Sequence, residues 1–331
     1  MKRILLLAGL IILVVMACNK SSVNDISLNN ENAIPAQRTC AANDVLEEQM
    51  KQDPSLRIRM NEIEAFTQRY IETAGMNRLL QNGIIEIPVV VNVLYNTAAE
   101  NISDAQINSQ ITVLNKDFSA TNSDYNNTPA VFQPVRSGDI GIRFVLDQVN
   151  RKQTNKKSWQ ANDQMKKNQQ GGIDPTSPTT KLNIWVCNLS NGILGYAQFP
   201  GGNAATDGVV IDNNAMGTEG TATAPYNKGR TATHEIGHWM NLRHIWGDTN
   251  CGTDYVDDTP PHKTANFGCP GIINLRCTSN STTNPYGFTR EMTMNYMDYT
   301  DDACMYIFTG GQKTRMLAVF APGGPRNSFA Q

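Results

Sequence analysis

The sequence predicts an α+β fold: a mostly parallel twisted sheet with one backing helix and one site-bearing helix, followed by an irregular C-terminal subdomain. Three observations carry this expectation. Residues 84–95, Ile-Ile-Glu-Ile-Pro-Val-Val-Val-Asn-Val-Leu-Tyr, are a β-branched run suited to a buried strand. Ser103-Asp-Ala-Gln106 is a capping box, and Ile107, Ile111, Leu114 and Phe118 follow at helical spacing, so a helix backs that strand. Strand-like segments at 140–149, 182–189, 195–199 and 208–211 then lead into a histidine-bearing helical stretch.

The elements before the sheet read as export and control segments. Met1-Lys-Arg3 is basic and residues 4–16 are apolar, too short a run to span a membrane comfortably, so 1–17 is expected to be a cleaved signal peptide. Val15-Met-Ala-Cys18 resembles the lipobox of bacterial lipoproteins, which would make Cys18 a lipidated N-terminus; a plain signal peptide without lipid is the other reading. Residues 18–83 read as a Ser/Asn-rich tether and then a helical propeptide, with one or two helices over 44–74 restarted at Pro54. Arg57, Arg59, Arg69 and Arg78 are basic positions for a maturing cut, or the solvated face of those helices. Residues 84–331 are long enough to bury a full core, divided into subdomains 84–244 and 245–331. Residues 151–167 are basic and polar and are expected to be a surface excursion. With 28 basic and 30 acidic residues, a net charge of -2 argues against nucleic acid as a partner, and a monomer is expected.

The chemistry is concentrated in Thr233-His-Glu-Ile-Gly-His-Trp-Met-Asn-Leu-Arg-His244. His234 and His238, four apart, share one helix face with Glu235 beside them. His244 would lie too far along a continued helix to share a metal, so the chain must turn back after His238. Asn241 is the residue placed to make that turn, because asparagine tolerates the left-handed conformation. Three imidazoles leave a fourth position open on a zinc ion, the arrangement of a catalytic site. Glu235 can then take a proton from the metal-bound water and pass it to a leaving amine, which is peptide hydrolysis.

A second constellation, Met294-Asn-Tyr-Met-Asp-Tyr-Thr-Asp-Asp-Ala-Cys304, followed by Phe-Thr-Gly-Gly-Gln-Lys-Thr-Arg-Met from 308 to 316, reads as a methionine turn. Together with the histidine stretch it resembles the pappalysin family of metzincin zinc metallopeptidases, and its ulilysin-like members in particular. The resemblance implies a metzincin-type catalytic domain, with Met297 as the hydrophobic floor under the metal and Tyr299 stabilising the oxyanion. Metzincins carry glycine at the return turn, where this chain has Asn241. The resemblance also implies disulfides Cys251–Cys277 and Cys269–Cys304, among three pairings that four cysteines permit. Residues 247–261 carry clustered carboxylates, and hard oxygen donors at such spacing suit calcium: Asp254, Asp257, Asp258, Thr259 and the Val256 carbonyl are the candidate ligands.

Two features bear on control and selection. Cys40, in Arg38-Thr-Cys-Ala41, precedes the expected catalytic domain, and a thiolate there could close the zinc site, as the cysteine switch of the resembled family implies. Asp301 and Asp302 lie after the methionine turn, where the resemblance implies the S1′ pocket and a preference for arginine or lysine that an acidic wall would complement; a solvent-facing place for both is the other reading. In the metzincin arrangement that the resemblance implies, 194–199 would be the edge strand that binds substrate backbone by strand addition. Cys187 reads as a buried free thiol. The expected protein is therefore a zinc endopeptidase acting on proteins or peptides, exported from a bacterial cell and either secreted or lipid-anchored. The rival is a surface binding protein that keeps the fold without turnover; the retained Glu235 argues against it.

Overall fold

In the computed structural model, residues 37–74 and 83–330 are described; the expected signal peptide, Cys18, most of the tether and Arg78 lie outside them. Five strands form the main sheet: β1 (Ile85–Tyr95), β2 (Ile142–Gln153), β3 (Leu182–Cys187), β4 (Gly195–Ala197) and β5 (Val209–Asp212). Their spatial order is β2-β1-β3-β5-β4, and only β4 runs antiparallel to its neighbour. The inner strands β1, β3 and β5 are buried on both faces and read as near-continuous apolar runs, whereas β2, at the sheet edge, is largely exposed beyond Phe144.

Period-two alternation sorts the side chains between two cores. Ile184 and Val186 of β3, with Val209 and Ile211 of β5, join one cluster together with two helices, α3 (Asp104–Phe118) and α4 (Arg230–Trp239). Trp185, Cys187, Tyr196 and Val210 face the other way, against the N-terminal segment. Each fully buried Val, Ile or Leu contributes roughly 1.5–3 kcal/mol, so the alternation specifies register strongly. Cys187 is a buried free thiol.

The capping box at α3 is half formed. Ser103 accepts from the Gln106 amide at 3.1 Å. The Gln106 side chain, instead of reaching back, donates to the carbonyls of Asn213 (3.2 Å) and Met216 (2.9 Å), tying the loop before α4 to α3.

Residues 151–167 depart from the expected surface excursion. Residues up to Gln153 extend β2, and Trp159, Met165 and Lys166 are buried in the second core. Lys166 Nζ is paired with Asp163 at 2.8 Å and donates to the Thr206 carbonyl at 2.8 Å, beneath Trp185 and Tyr196. A buried ammonium is tolerable only when paired and hydrogen-bonded in this way; Asp163 is three residues away, while the Thr206 carbonyl is forty residues on.

The N-terminal segment folds as two helices broken at Pro54, α1 (Ala42–Gln52) and α2 (Ser55–Ala74). Arg57, Arg59 and Arg69 fall within α2. Glu64 on α2 forms a bidentate pair with Arg315 at 2.9 and 2.8 Å. Arg315 belongs to the C-terminal helix α5 (Gly310–Ala318), which is capped by a reciprocal Thr309–Gln312 box. A short parallel pair, β6 (Phe267–Gly268) and β7 (Tyr299–Thr300), completes the irregular C-terminal part.

Candidate active site

Helix α4 begins behind Gly229, which has a left-handed backbone with φ 72°. Arg230, in its first turn, bonds Asp124 and faces the Asp117 carboxylate on α3 at 3.1 Å, while Thr233 donates to Asp117 at 2.7 Å. The helix is thereby clamped to α3 and buried along its whole length. It ends at Trp239, and Asn241 turns the chain back with φ 71°, as its chemistry predicts.

That return brings the three imidazoles together. His238 Nε2 stands 3.1 Å from His234 Nε2 and 3.0 Å from His244 Nε2. On the other side of each ring, His234 Nδ1 is 2.6 Å from the Tyr296 carbonyl, His238 Nδ1 is 2.8 Å from the Leu242 carbonyl, and His244 Nδ1 meets Asp248. Those acceptors hold the protons on Nδ1, which leaves three Nε2 lone pairs facing one another. Lone pairs cannot hydrogen-bond to each other at such separations; a shared cation resolves the contact. Burial holds His234 and His238 well below the usual imidazole pKa, in the neutral form that binds metal. Cys40 Sγ completes the group, and all four ligand atoms lie within 4.8 Å of one another. A soft thiolate with three imidazoles is a donor set suited to a transition metal such as zinc.

Glu235 lies one step round α4, fully buried, with Cys40 Sγ donating to its Oε2 at 3.3 Å. Burial pushes its carboxyl up to about 8, partly offset by the Cys40 bond and the Arg38 charge. Glu235 packs on the edge strand at Gly195, where a Cβ would come within 3.0 Å of its Cγ. The free edge of β4 is taken by the N-terminal segment: Leu194 donates to the Thr39 carbonyl at 2.9 Å, Ala41 to Gly195 at 3.0 Å, and Cys40 forms a parallel bridge with Gly195.

Met297 is fully buried under α4, and a Cβ at Gly237 would come within 2.5 Å of its sulfur, so glycine is required for the helix to settle on the methionine. Tyr299 stands beside His244 and Trp246, its hydroxyl donating to the Cys40 carbonyl at 3.2 Å. Asp302 is fully buried and binds Arg38 Nη2 at 2.5 Å. Arg38 Nη1 also donates to Thr231 Oγ1 at 3.0 Å and Nε to the Thr300 carbonyl at 3.1 Å, with the guanidinium over the Tyr226 ring. Asp301 is half-buried and receives no Arg38 bond, so the two aspartates are not equivalent.

The acidic loop divides. Thr259 Oγ1 lies 2.8 Å from both Asp254 Oδ2 and the Val256 carbonyl, so three of the expected calcium ligands converge. Asp258 points elsewhere, to Thr309 and the Gly311 amide, and Asp257 is exposed. Cys251 is bonded to Cys277 and Cys269 to Cys304.

Sequence reasoning counted Asp248 among the loop acids; its true place, on His244 Nδ1, was signalled only by its standing four residues after that ligand. Trp246, stacked on His244 at 4.4 Å, left no signal.

A zinc-helix-like segment, its return turn and a methionine beneath the imidazoles define a metallopeptidase of metzincin type. The sequence profile of the family described as pregnancy-associated plasma protein-A matches residues 173–321. An extracellular metalloprotease of Verticillium alfalfae is 32% identical over 249 residues, covering 71% of this chain and 78% of that protein. Mature mirolysin of Tannerella forsythia, solved with a cleaved peptide, is 44% identical with a TM-score of 0.70, over 75% of this chain and 96% of that one. A mutant of Tannerella forsythia promirolysin is 41% identical with a TM-score of 0.77, over 88% and 97%. The chain belongs to the pappalysin family of metallopeptidases.

Proposed function

We propose that this metallopeptidase is a zinc endopeptidase, made as a latent zymogen and exported from a bacterial cell, that cleaves before basic residues. The observation that carries the reading is the convergence of three unprotonated Nε2 atoms with Glu235 beside them. A zinc ion held by His234, His238 and His244 would polarise the scissile carbonyl and acidify a water. Glu235 takes that water's proton and delivers it to the departing nitrogen. Tyr299 donates a hydrogen bond to the carbonyl oxygen as negative charge builds on it. Digestion of casein by the matured protein, abolished by a chelator and restored by zinc, is the expected result; digestion indifferent to the chelator would reject the reading.

In the zymogen Cys40 would hold the metal together with the three histidines and keep the site closed. Arg38 then stands where a P1′ arginine would stand, since each of its three guanidinium nitrogens meets a separate acceptor around Asp302. The prosegment passes from this primed side at Arg38 to the metal at Cys40 and on to the non-primed side, opposite in sense to a substrate. Its own backbone is therefore presented wrongly for cleavage. Asp302→Asn should lower kcat/KM for peptides with arginine at P1′ roughly a hundredfold, because a buried charge pair loses one partner. Peptides with a neutral P1′ residue should be little affected, and an unchanged ratio between the two would remove Asp302 from the pocket.

Calcium is assigned to Asp254, the Val256 carbonyl and Thr259. Asp254 is a buried carboxylate without an ion-pair partner among the described residues, pushed up to about 7 by burial, and a cation would relieve it. Millimolar calcium should raise the Tm by several degrees, and Asp254→Asn should remove that shift. Relatives named as extracellular proteases support export. Intact mass of the exported precursor distinguishes a lipidated Cys18 from a plainly cleaved signal.

A further inference from the structure

The chain has four histidines, and the fourth, His262, takes no part in the metal group. It is fully buried, and its Nε2 accepts from the Met292 amide at 2.8 Å. The ring proton is therefore on Nδ1, which lies 3.3 Å from Asn266 Nδ2 and is directed to the carboxylates of Asp298, with Oδ2 at 3.5 Å, and Glu291, with Oε2 at 3.9 Å. Asp298 sits between Met297 and Tyr299. Its Oδ1 accepts the backbone amides of both Tyr299 and Asn266 at 2.8 Å, and its Oδ2 accepts Asn266 Nδ2 at 2.9 Å. Arg276 closes the ring of contacts, donating to Glu291 at 2.6 Å and to Asn266 Oδ1 at 2.8 Å.

The consequence falls on Tyr299. Its amide is held by the Asp298 carboxylate, and its strand β7 is paired with β6, Phe267 opposite Tyr299. Charge-assisted bonds to a carboxylate are short and directional, so they fix the backbone from which the ring projects. The ring then leans on His244 and Trp246 with its hydroxyl toward the site. We propose that Asp298, held by His262 and Asn266, is a positioning residue that aims the Tyr299 hydroxyl at the substrate carbonyl. This deepens the proposed mechanism and rests on Tyr299 acting there.

In Asp298→Asn an amide NH2 would face Asn266 Nδ2 and His262 Nδ1, donor against donor, or Oδ1 would be lost to the two backbone amides. The chain at Tyr299 must shift in either case. His262→Gln is the second variant, removing the ring while keeping a polar side chain. Both are made in the matured enzyme and again in a Tyr299→Phe background, with kcat, KM, metal content and Tm read on one peptide substrate. The expected result is a kcat loss of roughly tenfold or more in the Tyr299 enzyme, with KM and metal content unchanged, shrinking to less than about twofold in the Phe background. Equal losses in both backgrounds, or none, would overturn positioning while leaving Tyr299's role intact. Tyr299→Phe with unaltered kcat would overturn both. Failure of both Asp298→Asn and His262→Gln to fold would assign the pair to stability alone and overturn the proposal.

Discussion

Replacing Glu235 by alanine in the matured enzyme is expected to lower kcat by about 10²–10⁴-fold, the range for removing a positioned general base. Metal content should be unchanged, because Glu235 lies beside the ligand face of α4 and contributes no atom to the His234–His238–His244 group. KM should move little, since a proton shuttle acts mainly in the transition state. The isosteric Glu235→Gln is the sharper variant: it keeps the packing against Gly195 but removes the basic oxygen. If glutamine were as active as glutamate, proton transfer at this position would not be part of the reaction. The same measurement addresses the rival reading of a surface binding protein, for which wild type and both variants would be equally inert toward casein and toward fluorogenic peptides.

The part of this site that is legible in the residues themselves is the part that is local, while Cys40, Met297 and Tyr299 are implied only through the family resemblance. His234, Glu235 and His238 are related by one helical turn, and Asn241 announced the return that brings in His244, because few residues accept its backbone conformation. The β-branched run of β1 and the spacing of α3 were legible for the same reason: a period of two or 3.6 is written into consecutive residues. Side-chain pairs across long separations leave no such trace. Arg38 meets Asp302 across 264 positions and Glu64 meets Arg315 across 251, and neither pair has a periodicity to betray it. Composition misled where burial depended on tertiary packing. Lys166 reads as one more surface lysine until Asp163 and the Thr206 carbonyl are folded against it. Asp248 was hidden differently, as one carboxylate in an acidic loop whose members turn out to serve an imidazole, a helix cap and a converging oxygen cluster.

Cys40→Ala should convert the latent precursor into one that activates itself faster, by roughly tenfold or more, since losing a metal–thiolate bond removes at least the 1.4 kcal/mol that a factor of ten requires. Latency should not vanish outright. Arg38 on Asp302, the strand-like pairing of residues 39–41 with β4, and Glu64 on Arg315 would still hold the prosegment across the site. The opened site would then be reached by local dissociation of the segment around Cys40, with α2 still docked. A time course of the purified precursor, followed by intact mass and by hydrolysis of a fluorogenic peptide, reads both the cleavage and the activity. Unchanged kinetics would reject the switch. Cys40→Ser separates two physical roles for the thiol. A hydroxyl can still donate to Glu235 Oε2 as the thiol does at 3.3 Å, but it is a poor zinc ligand at neutral pH. If metal ligation maintains latency, serine should behave like alanine. A precursor that stays latent with serine and opens with alanine would move the role of Cys40 from the metal to the masking of the general base.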